Sequence, residues 1–306
     1  MNAPGRTRPA RAEQLADKGD PTAATERDES RAVRVRGLSK AYGQLQAVRD
    51  VDLDVGYGEI FAILGPNGAG KSTTIEILEG HRQRDSGYVR VLGEDPGTAG
   101  RSWRAKIGIV LQEVSDAGML TVAETIQMLT KCYGRARLPG ETLELVGLTP
   151  VADSRVRTLS GGQRRRLDVA LGIIGMPDLL FLDEPTTGFD PDARRRFWDL
   201  IRLLASDGTT IVLTTHYLEE AAALADRVAV LADGRVVAVD SPAKLTEYVS
   251  TAATVRWVEA GRAHVEVTDR PTDLIRRRSK HGAELAQLTV SRPTLEDAYL
   301  RLIGEA

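Results

Sequence analysis

The sequence predicts an α/β protein built on a largely parallel sheet covered on both faces. An antiparallel β subdomain precedes the sheet, a helical insertion interrupts it, and a small C-terminal α+β subdomain follows. Three observations carry that prediction. The runs at 60–64 and 179–182 are continuously apolar, as strands buried on both faces are. Strand-like runs and stretches of helical period alternate through the second half of the chain, the order that gives parallel strands joined by helices. The first apolar run leads into a glycine-rich turn and then a helix.

Taken in order, residues 1–30 are rich in Ala, Arg, Pro, Asp, Glu and Thr and nearly devoid of large apolar side chains, so they are expected to form a disordered tail. The main domain is expected to span 31–245. Val33, Val35 and Leu38, then Val51, Leu53 and Val55, alternate with polar residues and predict half-buried antiparallel strands. Gly56 and Gly58 turn the chain into the strand at 60–64. Val89 and Val91 predict a further strand, and 107–111 another. From about 120 to 170 the period becomes helical: Val122, Ile126 and Leu129 share one face, a short helix covers 142–146, and another begins near Ser160. Strands and helices then alternate again: strands at 179–182 and 210–213, a helix from Pro191 to Leu203, and a helix over 218–224. Strands at 228–231 and 236–239 flank Asp233-Gly234, a strong hairpin turn. After Ser241-Pro242 and a capped helix, residues 246–306 form the accessory subdomain, with strands at 254–258, 264–267 and 285–290 and a closing helix over 294–303.

Composition narrows the function classes. Formal net charge is −2 and aromatic residues are 5%, so neither bulk charge nor a stacking surface points to nucleic acid. The single cysteine, Cys132, excludes an internal disulfide framework and suits a reducing cytoplasm. No apolar run approaches the length of a bilayer crossing, and the N-terminus has no apolar signal core, so the chain is expected to be cytosolic.

Gly65-Pro66-Asn67-Gly68-Ala69-Gly70-Lys71-Ser72-Thr73 fits the phosphate-loop pattern G-x-x-x-x-G-K-[ST] at every fixed position. Glycines let the backbone curl around phosphate oxygens, and successive N–H groups and a helix N-terminus then face the anion. Lys71 can reach the β- and γ-phosphates, and the Ser72 hydroxyl can complete a magnesium shell. Downstream, Asp183 and Glu184 stand at the end of a buried strand, where adjacent acids are costly without a cation or a catalytic task. In a phosphate-loop protein the first acid, Asp183, holds magnesium, and the second, Glu184, can orient and deprotonate the attacking water. Between them, Leu159-Ser160-Gly161-Gly162-Gln163 precedes a helix. Ser160 is a good N-cap, and the glycines again free backbone N–H groups for an anion.

In this order, the phosphate loop, the LSGGQ pentapeptide and Phe181-Leu182-Asp183-Glu184-Pro185 resemble the nucleotide-binding subunit of an ABC transporter, from about residue 32 to the C-terminus. The resemblance implies a phosphate-loop NTPase core that binds ATP with Mg2+ and hydrolyses it. It also implies roles at four further positions. Tyr42 matches the aromatic that stacks on adenine, and Gln112 the glutamine that touches magnesium and water and faces the membrane subunit. Asp190, in Gly188-Phe189-Asp190, matches the acid that communicates across the dimer, and His216 the switch histidine at the γ-phosphate. Phe189 stands where the family often has leucine, with no functional change expected. The family further pairs two copies head to tail, each ATP lying between the phosphate loop of one chain and Ser160, Gly161, Gly162 and Gln163 of the other.

Pro293-Thr294-Leu295-Glu296-Asp297-Ala298-Tyr299 is similar to the P-[ST]-L-E-D-x-[FY] ending of drug- and antibiotic-export ATPases of the daunorubicin-resistance type. The expected protein is an ATPase subunit, peripheral on the cytoplasmic face of the cell membrane, that powers export through a separate transmembrane permease and binds no nucleic acid. The alternative is a non-transport ABC ATPase acting on DNA or the ribosome. Such proteins usually carry two cassettes or a long coiled-coil insert, and this chain shows neither. The basic run Arg276-Arg277-Arg278-Ser279-Lys280 is expected to be a solvated helix face.

Overall fold

The computed structural model describes residues 30–110, 118–247, 252–259, 261–279 and 284–304. The tail expected at 1–30 and the end of the run at 107–111 therefore fall wholly or partly outside the described residues.

The main sheet has six strands in the order β5-β6-β7-β3-β8-β9. These are β3 (Ile60–Leu64), β5 (Ile107–Val110), β6 (Leu179–Asp183), β7 (Thr210–Thr215), β8 (Arg227–Ala232) and β9 (Arg235–Asp240). All neighbours are parallel except β8 and β9, which form a hairpin. Its turn residues, Asp233 and Gly234, both have positive φ, as a two-residue turn between twisted strands requires.

Alternation along the buried strands divides the interior into two cores. Ala62, Leu64, Leu180, Leu182, Leu213, Val228 and Val230 face one side, while Phe61, Ile63, Phe181, Val212, Ala229 and Leu231 face the other. The second core is closed by an antiparallel sheet in the order β2-β1-β4, made of β1 (Arg31–Tyr42), β2 (Leu45–Gly56) and β4 (Ser86–Val91). In it Val33 pairs with Val55 and Val91, and Val35 with Leu53 and Val89, so their side chains share the inward face. The helix α1 (Lys71–Leu78) lies in the same core through Ile75, Ile77 and Leu78. Trp103, on the short α2 (Arg101–Arg104), donates its indole N–H to the Val91 carbonyl at 2.8 Å.

Helices close the first core. The insertion supplies α3 (Val122–Thr130), α4 (Pro139–Leu145) and α5 (Gly161–Ile173). α3 begins with a capping box in which Thr121 and Glu124 bond reciprocally to each other's backbone N–H. Beyond β6, α6 (Pro191–Ser206) and α7 (Leu218–Leu224) pack on the same side through Phe197, Leu200, Ile201 and Leu224.

After α8 (Pro242–Glu247), the strands β10 (Ala253–Glu259), β11 (Arg262–Thr268) and β12 (Ala286–Ser291) form a separate antiparallel sheet. The helix α9 (Pro271–Arg278) covers it through Leu274 over Val255 and Trp257. On α9, Arg276 pairs with Asp273, and Arg278 with Glu266 while lying over the Trp257 ring.

The closing helix α10 (Leu295–Gly304) departs from the expected division at 246–306. Leu295, Tyr299, Leu302 and Ile303 pack into the first core of the main domain, alongside Leu245 of α8. Its apolar face finds the large helical layer because the three-stranded sheet already has α9 on its covered face. The accessory unit is therefore the sheet with α9, and α10 returns to the main domain.

Candidate active site

β3 ends at Leu64, and the chain wraps into the loop before α1. The loop is tight against its surroundings. A Cβ at Gly65 would meet the Leu231 carbonyl oxygen at 2.4 Å, and one at Gly70, whose φ is +98°, would meet that of Ala47 at 2.3 Å. Gly234 of the β8–β9 turn anchors the loop from outside: its N–H donates to Ala69 O at 3.2 Å, and its carbonyl accepts from Arg49 N at 2.7 Å.

Lys71 is 5% exposed. Its ammonium donates to Gly65 O at 2.9 Å and Pro66 O at 3.2 Å, and lies 3.6 Å from Glu184 Oε1. A phosphate group entering the loop offers this ammonium stronger, charged acceptors than those carbonyls. Tyr42, Asn67, Gly68, Gly70, Lys71, Ser72, Thr73 and Glu184 all line one open cleft of about 470 Å³. Tyr42 is 40% exposed, with the Arg82 guanidinium 5.2 Å from its ring centroid.

The two acids sit where β6 leaves the sheet. Asp183 is opposite Thr214 in the parallel register of β6 and β7, and its carboxylate accepts the Thr214 hydroxyl. Glu184 has φ +44°, in the left-handed region that costs a non-glycine residue about 1 kcal/mol or more. Its N–H donates to the Thr214 hydroxyl at 3.0 Å and the Thr214 carbonyl at 3.2 Å. Its Oε2 lies 3.2 Å from His216 Nδ1 and accepts from the Thr187 hydroxyl at 3.4 Å. The Glu184 carboxylate thus bridges Lys71 of the phosphate loop and His216 beyond β7 at the cleft.

Other predicted residues stand apart. Ser160 caps α5 in a reciprocal pair with Gln163, at 3.3 Å and 2.9 Å. Ser160, Gly161, Gly162 and Gln163 do not line the cleft of Lys71; Gly161 borders a second cavity shared with Glu184, Thr187 and Phe189. Asp190 caps α6, its Oδ1 accepting from Ala193 N at 2.8 Å. Gln112 lies outside the described residues. Sequence reasoning missed Thr214, whose part follows from strand register, and Arg165, the buried member of the run Arg164-Arg165-Arg166.

Glu79, which ends α1, is also buried. Burial first, then the charges of Asp183 and Glu76, push its carboxyl from an ordinary 4.5 up to about 8. Its Oε2 accepts no hydrogen bond and lies 3.3 Å from His81 Nδ1. Between pH 4.5 and 8 the unfolded chain loses this proton while the folded chain keeps it, so the contribution of Glu79 to stability falls as pH rises and levels off above about 8. Relative to Glu79→Gln, the wild type is expected to lose a few kcal/mol between pH 5 and 8, with about 5 kcal/mol as the upper limit. Urea unfolding of both proteins at the two pH values checks this; a constant difference would show that the folded carboxyl titrates normally.

Known proteins resemble this chain in sequence and in fold. The family described as "ABC transporter" matches residues 48–187. The chain is 38% identical to the daunorubicin resistance ATP-binding protein DrrA2 of Streptomyces coeruleorubidus, over 89% of this chain and 95% of that one. It is 46% identical to the daunorubicin/doxorubicin resistance ATP-binding protein DrrA of Streptomyces peucetius, over 68% of this chain and 65% of that one. Among solved structures, a bacterial ABC transporter cassette in dimeric form superposes with a TM-score of 0.62 at 26% identity, covering 68% of this chain and 98% of that one. With a phosphate loop, an LSGGQ helix start and a strand-end glutamate in one fold, and a relative matched over nearly its whole length, the chain belongs to the ABC transporter family, as an ATP-hydrolysing, ATP-binding subunit.

Proposed function

We propose that this ATPase powers export of a small molecule of the drug or antibiotic class through a separate membrane-spanning permease. The observation that carries the motor half of this reading is the Glu184 carboxylate held between Lys71 and His216 at the nucleotide cleft. The daunorubicin-resistance names of two relatives support the cargo half. No described helix is long and apolar enough to cross a membrane; in this reading a separate permease spans it, with this subunit at its cytoplasmic side. The net charge of −2 and few aromatics support a reading without nucleic acid.

In the cleft the loop N–H groups and Lys71 bind the phosphates and Tyr42 stacks on the adenine. Glu184 accepts a proton from the attacking water, the γ-phosphorus takes the hydroxide oxygen, and the bond to the β–γ bridging oxygen breaks, leaving ADP and phosphate. His216 orients the γ-phosphate. Ser72 and Asp183 offer hard oxygen donors suited to magnesium, and Gln112 is proposed as a third contact. When bound, magnesium neutralises charge on the β- and γ-phosphates. Two copies pair head to tail, Ser160 and Gly162 of one meeting the ATP of the other, and hydrolysis lets them part.

Deleting the gene in its own cell is expected to raise retention of fluorescent doxorubicin. The wild-type gene should reverse this, and a Glu184→Gln gene should not. Unchanged retention would remove anthracycline-like cargo from the proposal.

A further inference from the structure

Arg165 is the fifth residue of α5, 8% exposed, and directed away from solvent. Its Nε donates to Pro185 O at 3.0 Å and its terminal nitrogen Nη2 to Asp183 O at 2.9 Å. These are the carbonyls on either side of Glu184. A buried guanidinium is disfavoured by desolvation, here opposed by the charges of Asp168, Asp183 and Glu220. Glu184 itself is in a left-handed conformation that persists only where its surroundings over-determine it. From β7, Thr214 holds the Glu184 N–H, and from α5, Arg165 holds the two flanking carbonyls. The same helix starts at Ser160, so one rigid element joins the cap to the backbone of the acid.

We propose that Arg165 is a positioning residue for hydrolysis: its fork locks the strained backbone of Glu184 so that the carboxylate stands at the nucleotide cleft, and it ties that backbone to the helix that begins with the LSGGQ segment. The inference rests on the reading of Glu184 as the proton acceptor. A planar fork with fixed donors serves two carbonyls at once; a lysine ammonium in its place reaches one of them well. Because the fork's bonds to Asp183 O and Pro185 O hold the backbone around Glu184, loss of the fork is expected to disturb the chemical step and to leave ATP affinity intact.

The test uses the full-length chain, phosphate release for kcat, and fluorescence titration with N-methylanthraniloyl-ATP for affinity. Arg165→Lys is expected to lower kcat about tenfold and Arg165→Met about thirtyfold, with the nucleotide Kd held within about twofold, which also reports that the cleft is folded. In single-turnover experiments, adding Arg165→Met to Glu184→Gln is expected to cause no further loss, since both act through one group. A wild-type kcat in Arg165→Lys, a matching loss of nucleotide affinity, or a multiplied loss in the double variant would overturn the proposal. Failure of the underlying reading looks different: there Glu184→Gln itself turns over normally.

Discussion

Glu184→Gln is expected to release phosphate about a hundredfold or more slowly than the wild type while still binding ATP. The amide keeps the size of the carboxylate and can still accept from Thr187, but it cannot take a proton from water. It also removes the negative partner 3.6 Å from Lys71 Nζ, so the ammonium is released to the phosphates and nucleotide affinity is expected to hold or rise. The variant should accumulate as an ATP-bound dimer, visible as a doubled mass by light scattering with magnesium and ATP. Near-normal turnover would remove Glu184 as the base, and a monomer at saturating nucleotide would remove the clamp.

The second large effect is on the loop itself. Gly70→Ala is expected to destabilise the fold by about 3 kcal/mol, the sum of a left-handed backbone and a backbone clash. Its φ is +98°, and the added methyl would stand 2.3 Å from the Ala47 carbonyl oxygen, which belongs to β2 and cannot turn aside as a flexible side chain would. Gly68→Ala is the matched control, because its φ is +83° but nothing lies within 4 Å of the new Cβ. Only about 1 kcal/mol is expected there. Urea unfolding separates the two. Equal losses would mean that loop conformation alone, and not the contact with β2, makes Gly70 obligatory. ATP binding should be lost with Gly70→Ala, since relieving the clash moves the N–H groups that face the phosphates.

Sequence reasoning reached the parallel strands because their signal is local. Residues 60–64 and 179–182 hold no polar side chain, and only burial on both faces tolerates that. The caps were legible for the same reason: Ser160 and Gln163 bond within four residues. What was not legible depends on neighbours distant in sequence. The amphipathic pattern around Leu295 and Tyr299 announces an apolar face but not the surface it meets, so α10 was expected with the wrong sheet. Thr214 gains its part from lying across from Asp183, a matter of register between strands. Arg165 stands within the charged run Arg164-Arg165-Arg166, and only its seat against the backbone at the end of β6, far off in sequence, shows it turned inward. Glu79 likewise reads as a surface acid until α1 is seen to end in the interior.

The packing of α8 beside α10 has a consequence for evolution and engineering. The chain leaves the main domain at one helix and rejoins it at a neighbouring one, so the described β10, β11, α9 and β12 form a detour between two helices that sit side by side. Such an excursion can be shortened, exchanged for another module, or used to carry a tag, while the nucleotide cleft at the far strand ends keeps its geometry.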